Sequence, residues 1–213
     1  MKWESLLGIV ADKPIFSTAQ LLPRNESPQQ ARLQLSHWVK DGRLIKLRRG
    51  LYTLNPREQG RSWHPFLIAN LLQPGSYVSV QSALSFYGMI PEYVPVTTSV
   101  GPGRQETLRN SLGSFWFRHV PVKMLCGYSQ IEVMPRQFVL MASPEKALLD
   151  LIYLTPGADC VEFLSELRLQ NPEAIGFPKL LDLAQRIGKP KLIRAAQLIE
   201  PLYSDELPKR NYF

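Results

Sequence analysis

Residues 27–54 constrain the fold of this chain more than any other segment. Ser27 and Pro28 suit the N-cap and first position of a helix, and Gln30 stands three positions after the serine, as in a capping box. Gly42 suits the left-handed conformation in which many helices end. We therefore predict a helix between these limits. Its apolar residues recur at helical spacing and predict one buried face, made of Ala31, Leu35, Trp38 and Val39.

A β-hairpin is predicted directly after this helix. Residues 44–47 and 51–54 are two short β-prone segments, and Arg48, Arg49 and Gly50 join them. A three-residue connection that contains glycine is a common hairpin turn. The two arginines are therefore expected at the tip of the hairpin.

Two further helices are predicted before residue 27. Apolar residues recur at helical spacing over residues 3–10, and Pro14 follows them. Ser17 suits the N-cap of a short helix over residues 18–22. Three helices followed by a hairpin with a cationic tip are the layout of a winged helix-turn-helix, whose third helix enters the major groove of DNA.

The distribution of charge also favours a polyanionic partner for this region. The chain has a net charge of +7, and residues 1–61 hold 11 Lys and Arg against 5 Asp and Glu. Residues 62–213 hold 14 against 13, so nearly all of the excess lies in the first segment. Lysine and arginine side chains near phosphates release condensed counterions, which drives binding to DNA.

The candidate DNA contacts lie on the outward face of the third helix and on the hairpin. Glutamine can read adenine through two hydrogen bonds, and arginine or lysine can contact guanine or phosphate oxygens. Polar helix faces are also commonly just solvated, and winged helices serve as protein–protein modules as well. The expected contacts with double-stranded DNA are Gln29, Gln30, Arg32, Leu33, His37, Lys40, Lys46, Arg48 and Arg49.

The rest of the chain is predicted to form a second, mixed domain. Residues 56–62 are polar and contain Pro and Gly, so we expect domains at 1–58 and 63–213. The overall fold class is α+β, with a winged helix-turn-helix followed by an α/β domain whose C-terminal half is helical. Helices are expected at 65–72, at 80–87 with Ser79 as the cap, from Pro144 with Ser143 as the cap, from a capping box of Asp159 and Glu162 to about Gln170, at 178–187 and from 190 to about 203. Strands are expected at 94–100, 115–120, 131–133 and 138–142.

Motifs of catalysis, cofactor binding or metal binding are not found in the sequence. The three histidines, His37, His64 and His119, are far apart and lack metal-ligand spacing. A metal-dependent nuclease could use Glu145 and Lys146, but it needs an acidic partner, for which Glu132 is the candidate. We therefore expect a protein that is not an enzyme and that uses no cofactor.

Features of the chain favour a cytoplasmic protein. We expect Cys126 and Cys160 to be reduced thiols that pack as small hydrophobic side chains. Apolar runs stay shorter than the roughly 18 residues that a membrane span needs, so no membrane partner is expected. The first residues also lack the features of a signal peptide.

Three blocks of the sequence resemble the AbiEi-type antitoxin family. The first is Trp-Val-Lys-Asp-Gly-Arg-Leu-Ile-Lys-Leu-Arg-Arg-Gly-Leu-Tyr at residues 38–52. The second is the run at residues 77–91, Tyr-Val-Ser-Val-Gln-Ser-Ala-Leu-Ser-Phe-Tyr-Gly-Met-Ile-Pro, followed by Thr-Thr-Ser-Val at 97–100. The third, Ala-Ser-Pro-Glu-Lys-Ala-Leu-Leu-Asp-Leu-Ile-Tyr-Leu at residues 142–154, looks like the signature A-x-P-E-K-A-L-x-D of that family. The blocks follow the order of the family and span about residues 36–154.

The resemblance implies an antitoxin of a type IV toxin–antitoxin system, linked with abortive phage infection. In that family the N-terminal domain represses its own operon by binding promoter repeats. The C-terminal domain counters a nucleotidyltransferase-like toxin, without a stable complex. Residues of the matching blocks that are candidates for the antitoxin role are Ser82, Glu145, Lys146 and Asp150.

Two other functions stay open at this point. One is an ordinary winged-helix transcription factor whose C-terminal domain senses a small ligand. The other is a DNA-targeted nuclease or a different enzyme. A gene for a nucleotidyltransferase beside this one would favour the antitoxin over the ordinary transcription factor.

Overall fold

The computed structural model describes residues 2–21, 27–60 and 62–203. The first part of the chain, here called the N-terminal segment, holds three helices and a small antiparallel sheet with strand order β1-β3-β2. The predicted end of the second helix at Leu22 lies outside the described residues. The elements are α1 (Trp3–Val10), β1 (Phe16–Ser17), α2 (Thr18–Leu21), α3 (Pro28–Lys40), β2 (Leu44–Arg48) and β3 (Leu51–Leu54).

The N-terminal segment has its own hydrophobic core. The rings of Trp3 and Trp38 meet edge to face, with centroids 5.2 Å apart. The predicted inner face of α3 is confirmed for Ala31, Leu35 and Trp38, whereas Val39 is only half-buried. Burying such aromatic and aliphatic side chains supplies most of the stability of a small helical unit. The buried residues of this core are Leu6, Val10, Phe16, Leu21, Leu35, Trp38, Leu44, Tyr52 and Leu54.

The limits of α3 agree with the sequence, but its predicted cap does not. The helix starts at Pro28, and Gly42 adopts a left-handed φ of +73° just beyond its end. The backbone of Ser27 is extended, as an N-cap requires, yet its hydroxyl accepts no hydrogen bond from a described residue. The prediction of a capping box is therefore wrong, because the hydroxyl of Ser27 does not accept the hydrogen bond that such a box requires.

The hairpin is tighter than the sequence suggests. Strand β2 continues through Arg48, so Arg49 and Gly50 alone form the turn, and Gly50 has a left-handed φ of +77°. The register shifts between Lys46 and Arg48, where Leu47 bulges from the strand. Arg48 therefore belongs to the strand and only Arg49 lies in the turn, so the prediction that both arginines lie at the tip is wrong for Arg48.

The remaining elements form an α+β unit, here called the C-terminal segment. Its six-stranded mixed sheet has the order β6-β7-β5-β4-β9-β8, in which β5 pairs with β7 and β4 with β9 in parallel. Short 3-10 helices occur at Val122–Met124 and Pro172–Ala174. The strands are β4 (Tyr77–Val78), β5 (Val96–Gly101), β6 (Glu106–Asn110), β7 (Gly113–His119), β8 (Tyr128–Met134) and β9 (Gln137–Ala142). The helices are α4 (Pro56–Gln59), α5 (Pro65–Leu72), α6 (Val80–Phe86), α7 (Pro144–Leu154), α8 (Val161–Glu166), α9 (Phe177–Ile187) and α10 (Pro190–Tyr203).

The six-stranded sheet carries hydrophobic side chains on both faces. Helices α6 to α10 contribute to the larger core, with α7 at its centre. On β7, Phe115 and Phe117 alternate with Trp116 and belong to a different cluster, because neighbouring residues of a strand point to opposite faces. That cluster also contains Leu47 of the hairpin and Leu72 of α5. The hairpin is therefore supported by the C-terminal segment.

Several predicted elements need correction. The helix expected at residues 159–170 spans only Val161–Glu166, and Cys160 occupies its N-cap position. Asp159 does not form the predicted capping box, because its carboxylate accepts hydrogen bonds of 2.6 and 3.0 Å from Arg194 of α10. Strands β1, β4 and β6 and the short α4 in the junction were not predicted.

Candidate functional site

The outward face of α3 presents polar side chains to solvent. Gln29 and Gln30 lie exposed in its first turn, and His37 and Lys40 lie exposed near its end. Leu33 is 63% exposed at the middle of this face. These residues therefore form an uncovered strip that runs the length of the helix.

A depression of about 710 Å³ lies between α3 and the hairpin. It brings together Arg32 from α3, Lys46 from β2 and Arg49 from the turn. None of the described residues that line it is acidic. Three side chains that the sequence predicted separately thus share one basic concave surface, here called the basic depression.

Hydroxyl groups that were not among the predicted contacts also line the basic depression. The depression is lined by Ser17 at the end of β1, Thr18 at the start of α2, Ser36 of α3 and Tyr52 of β3. Hydroxyl groups and cations together are the usual protein partners of phosphate oxygens. The sequence signal was weak, because these residues are close only once β1 pairs with β3.

Hydrogen bonds to backbone carbonyls fix the hairpin relative to α2 and α3. The amide of Thr18 donates to the carbonyl of Gly50 in the turn, at 3.1 Å. The side-chain amide of Asn55 donates to the carbonyl of Gly42 just after α3, at 2.8 Å. The basic depression is therefore held from both ends of the hairpin.

Arg48 faces a different direction from Arg49. Its guanidinium lies 3.8 Å from the carboxylate of Glu106 on β6, and both side chains are partly exposed. Asn110 of the same strand donates to the carbonyl of Leu47 at 3.5 Å. The structure therefore places Arg48 against the C-terminal segment and outside the lining of the basic depression.

The candidates from the second and third family-like blocks lie inside the C-terminal segment. Ser82 is 3% exposed; its hydroxyl donates to the carbonyl of Val96 at 2.9 Å and accepts from the amide of Thr98 at 2.8 Å. It therefore ties α6 to β5. Glu145, Lys146 and Asp150 are also buried, with exposed fractions of 3% or less.

Lys146 and Asp150 form a buried ion pair one turn apart on α7. Asp150 also accepts hydrogen bonds from the hydroxyl groups of Ser79, at 2.7 Å, and Tyr77, at 3.0 Å. The ammonium of Lys146 lies 5.3 Å from the centre of the Tyr77 ring. Neither Tyr77 nor Ser79 was predicted as a partner of Asp150, and Ser79 was predicted as the N-cap of α6. Its hydroxyl instead serves Asp150 and makes no capping hydrogen bond.

Burial dominates the ionisation of this cluster. It raises the pKa of Asp150, while the charge and hydrogen bond of Lys146 and the two hydroxyl donors act in the opposite direction. Burial and the adjacent Asp150 also raise the pKa of the Tyr77 hydroxyl, so tyrosine remains a hydrogen-bond donor. The cluster joins α7 to β4 and to the start of α6.

Glu145 belongs to a separate network at the start of α7. Its carboxylate accepts hydrogen bonds from the hydroxyl of Ser143, at 2.6 Å, and the amide of Gly176, at 3.2 Å, and pairs with Lys179 at 2.9 Å. Burial favours a higher pKa for Glu145, but these donors outweigh burial and lower it. Ser143 also caps α7 as predicted, because its oxygen accepts from the amide of Lys146.

The three histidines occupy unrelated places. The Nδ1 atom of His64 accepts from the amide of Phe66 and caps α5, and burial lowers the pKa of His64. His119 contacts the carbonyls of Pro102 and Gly103, both at 3.1 Å. His37 is exposed on α3. Across residues 2–21, 27–60 and 62–203, no group of three or more acidic, histidine or cysteine side chains could hold a metal ion.

The cysteines differ in burial. Both are free thiols; Cys126 packs against the larger core, as predicted. Cys160 is exposed at the N-cap of α8, so the prediction that it packs as a hydrophobic side chain is wrong.

None of the helices in the described part of the chain combines the length and the apolar character needed to cross a bilayer.

The fold has a counterpart among solved structures. It is similar to the crystal structure of the RV2827C protein from Mycobacterium tuberculosis, with a TM-score of 0.53 and 16% sequence identity. The match covers 93% of this chain and 77% of that protein. No model of a protein family matches the chain, and no curated protein matches it. At this identity the likeness supports the arrangement of the α+β fold alone.

Proposed function

We propose that the N-terminal segment is a winged helix-turn-helix that binds double-stranded DNA. The observation that carries the proposal is the basic depression, where Arg32, Lys46 and Arg49 converge without an acidic neighbour among its described lining residues. Exposed cations of one sign in a concave surface attract the phosphate backbone. The excess of positive charge in residues 1–61 agrees with this partner.

In the proposed complex, α3 lies in the major groove and β2–β3 is the wing. Gln29 and Gln30 stand exposed in the first turn of α3, where recognition helices contact base edges. Arg32, Lys46 and Arg49 contact the backbone beside them. Leu33 would meet a thymine methyl group, a contact that suits an exposed apolar side chain.

A binding assay on the full chain tests this proposal. The affinity for a fragment of its own promoter is compared with that for a shuffled duplex of equal length. We expect replacement of Gln29 and Gln30 by alanine to reduce the preference for the promoter, at roughly 1–3 kcal/mol for each two-pronged base contact. Equal loss of affinity for both duplexes would contradict base reading by α3.

We further propose that the chain represses its own operon and acts as the antitoxin of a type IV toxin–antitoxin pair. This part depends on the resemblance of residues 38–52, 77–91 and 142–154 to AbiEi-type antitoxins. Its functional partner is a nucleotidyltransferase-like toxin encoded beside it, and the proposed role requires no catalysis. The cytoplasm is the proposed compartment, because promoter DNA lies there.

The buried position of Ser82, Glu145, Lys146 and Asp150 suggests how they serve this role. Each has partners inside the C-terminal segment, so we propose that they shape the antitoxin surface instead of contacting the toxin. Co-expression with the adjacent gene tests the antitoxin role. Relief of toxicity by the full chain supports it, and undiminished toxicity at equal protein levels contradicts it.

A further inference from the structure

A groove of about 560 Å³ opens on the C-terminal segment and shares no described lining residue with the basic depression. It lies between the strands β5 and β7 and the helices α6, α7 and α8. Its volume falls within the 300–1,000 Å³ that is usual for small-molecule sites. We call it the aromatic groove and define it by Gln81, Glu92, Tyr93, Trp116, Phe163 and Glu166.

Large aromatic side chains are exposed to solvent in and around the aromatic groove. Trp116 is 40% exposed and pairs in register with Thr98, which is buried beneath the groove. Tyr93 is 88% exposed at its rim. Exposed aromatic side chains around a concavity mark interaction sites more often than an even surface does. The helices that cover the larger core therefore leave this part of the sheet open.

The charge of the aromatic groove is opposite to that of the chain as a whole. Glu92 and Glu166 line it, and none of its described lining residues is lysine, arginine or histidine. The chain carries a net charge of +7. The faces of tryptophan and tyrosine rings attract cations, and nearby carboxylates add to that attraction.

We propose that the aromatic groove binds a small organic cation with a flat apolar body. Trp116 and Tyr93 contact the body of the ligand and stabilise its charge through their ring faces. The carboxylates of Glu92 and Glu166 neutralise the positive charge of the ligand. This proposal rests on the residues of the aromatic groove alone and does not depend on the proposed binding of DNA.

Two dyes of similar size and opposite charge test the proposal in the absence of DNA. The cation is tetramethylrhodamine methyl ester, the anion is fluorescein, and fluorescence anisotropy reports the binding of each to the full chain. We expect the cation to bind at least ten-fold more tightly. The global charge of +7 favours the opposite order, so this preference identifies a local site. Equal binding of the two dyes, or tighter binding of fluorescein, overturns the proposal.

Substitutions then locate the binding site. Trp116→Ala should weaken binding of the cation at least ten-fold, and the pair Glu92→Gln with Glu166→Gln at least five-fold, without weakening fluorescein. Phe138→Ala is the matched control, because Phe138 is an aromatic of the same sheet that is 48% exposed outside the groove. An equal loss in Phe138→Ala, or none in Trp116→Ala, overturns the proposal.

A second variant tests the site without removing a sheet residue. Gln81 is exposed at the groove, so Gln81→Lys places a positive charge there with little effect on the core. We expect at least a five-fold loss of cation affinity at an unchanged melting temperature. Unchanged affinity in Gln81→Lys contradicts a cation site at this position.

Discussion

Arg48 of the hairpin and Glu106 of β6 form an ion pair between the two segments, with 3.8 Å between guanidinium and carboxylate. Leu47, the residue before Arg48, packs with Phe115 and Phe117 in one hydrophobic cluster. The packing of Leu47 positions the hairpin on the C-terminal segment, and the ion pair directs the Arg48 side chain toward Glu106. Arg48 is not among the backbone contacts of the proposed complex, and we expect Glu106 to compete with the DNA backbone for it.

Replacing Glu106 by glutamine should increase the affinity for DNA about two- to five-fold. The gain is modest because partly exposed ion pairs contribute roughly 0–1 kcal/mol. Fluorescence anisotropy with a labelled promoter duplex measures it. In a double-mutant cycle, Arg48→Ala should abolish the gain. A gain that persists without Arg48 would contradict direct competition, and Glu132→Gln, at the other edge of the sheet, is the control.

Breaking the buried pair from one side should strongly destabilise the C-terminal segment. Lys146→Met leaves the Asp150 carboxylate buried without its counterion, and the expected loss in the free energy of unfolding is about 3–5 kcal/mol. Urea denaturation measures this loss. The double variant Lys146→Met with Asp150→Leu should recover part of it, because no uncompensated charge remains. A single variant within about 0.5 kcal/mol of wild type would contradict the structural role.

The hydroxyl donors to Asp150 should matter less than Lys146. Tyr77→Phe and Ser79→Ala each remove one hydrogen bond from a carboxylate that keeps its other partners. We expect each to cost about 1–3 kcal/mol of unfolding free energy. A loss in either variant as large as that in Lys146→Met would contradict the ranking of the ammonium above the hydroxyl donors.

Glu145 should make part of the stability depend on pH. Its pKa is lowered in the folded state, so its contribution is fully present above the ordinary glutamate range and is lost as the pH falls through the folded pKa. Glu145→Gln should therefore be less stable than wild type at pH 7, and the difference should shrink toward pH 3. Denaturant titrations across this range measure it, with exposed Glu200→Gln as the control. A difference that stays constant with pH would contradict the assigned charge.

Local signals in the sequence were sufficient to predict the limits of α3, which lines the basic depression, and the start of α7, which holds the third family-like block. Pro28 and Gly42 bound α3, and Ser143 and Pro144 start α7, because capping chemistry acts within a few residues. The charge excess of residues 1–61 likewise pointed to the segment that holds Arg32, Lys46 and Arg49. Three of the predicted contacts therefore share one surface.

Long-range relations could not be derived from these signals. The two-residue strands β1 and β4 are too short to show an alternating pattern, and they exist only through their pairing with distant strands. Ser79 has the sequence context of a cap, but its hydroxyl serves a carboxylate 71 positions later. Arg48 and Arg49 are adjacent in sequence, and only the bulge at Leu47 and the position of Glu106 separate them.

The salt dependence of DNA binding tests the central claim most directly. The triple variant Arg32→Ala, Lys46→Ala and Arg49→Ala should weaken binding to every duplex. It should also lower the slope of log affinity against log salt by up to about three units, because each phosphate contact contributes about 0.9. The control variant removes three cations of the C-terminal segment, Arg104, Lys123 and Lys189, and should keep the slope of wild type. An unchanged slope in the first variant, or an equal fall in both, would contradict the basic depression as the DNA-binding surface.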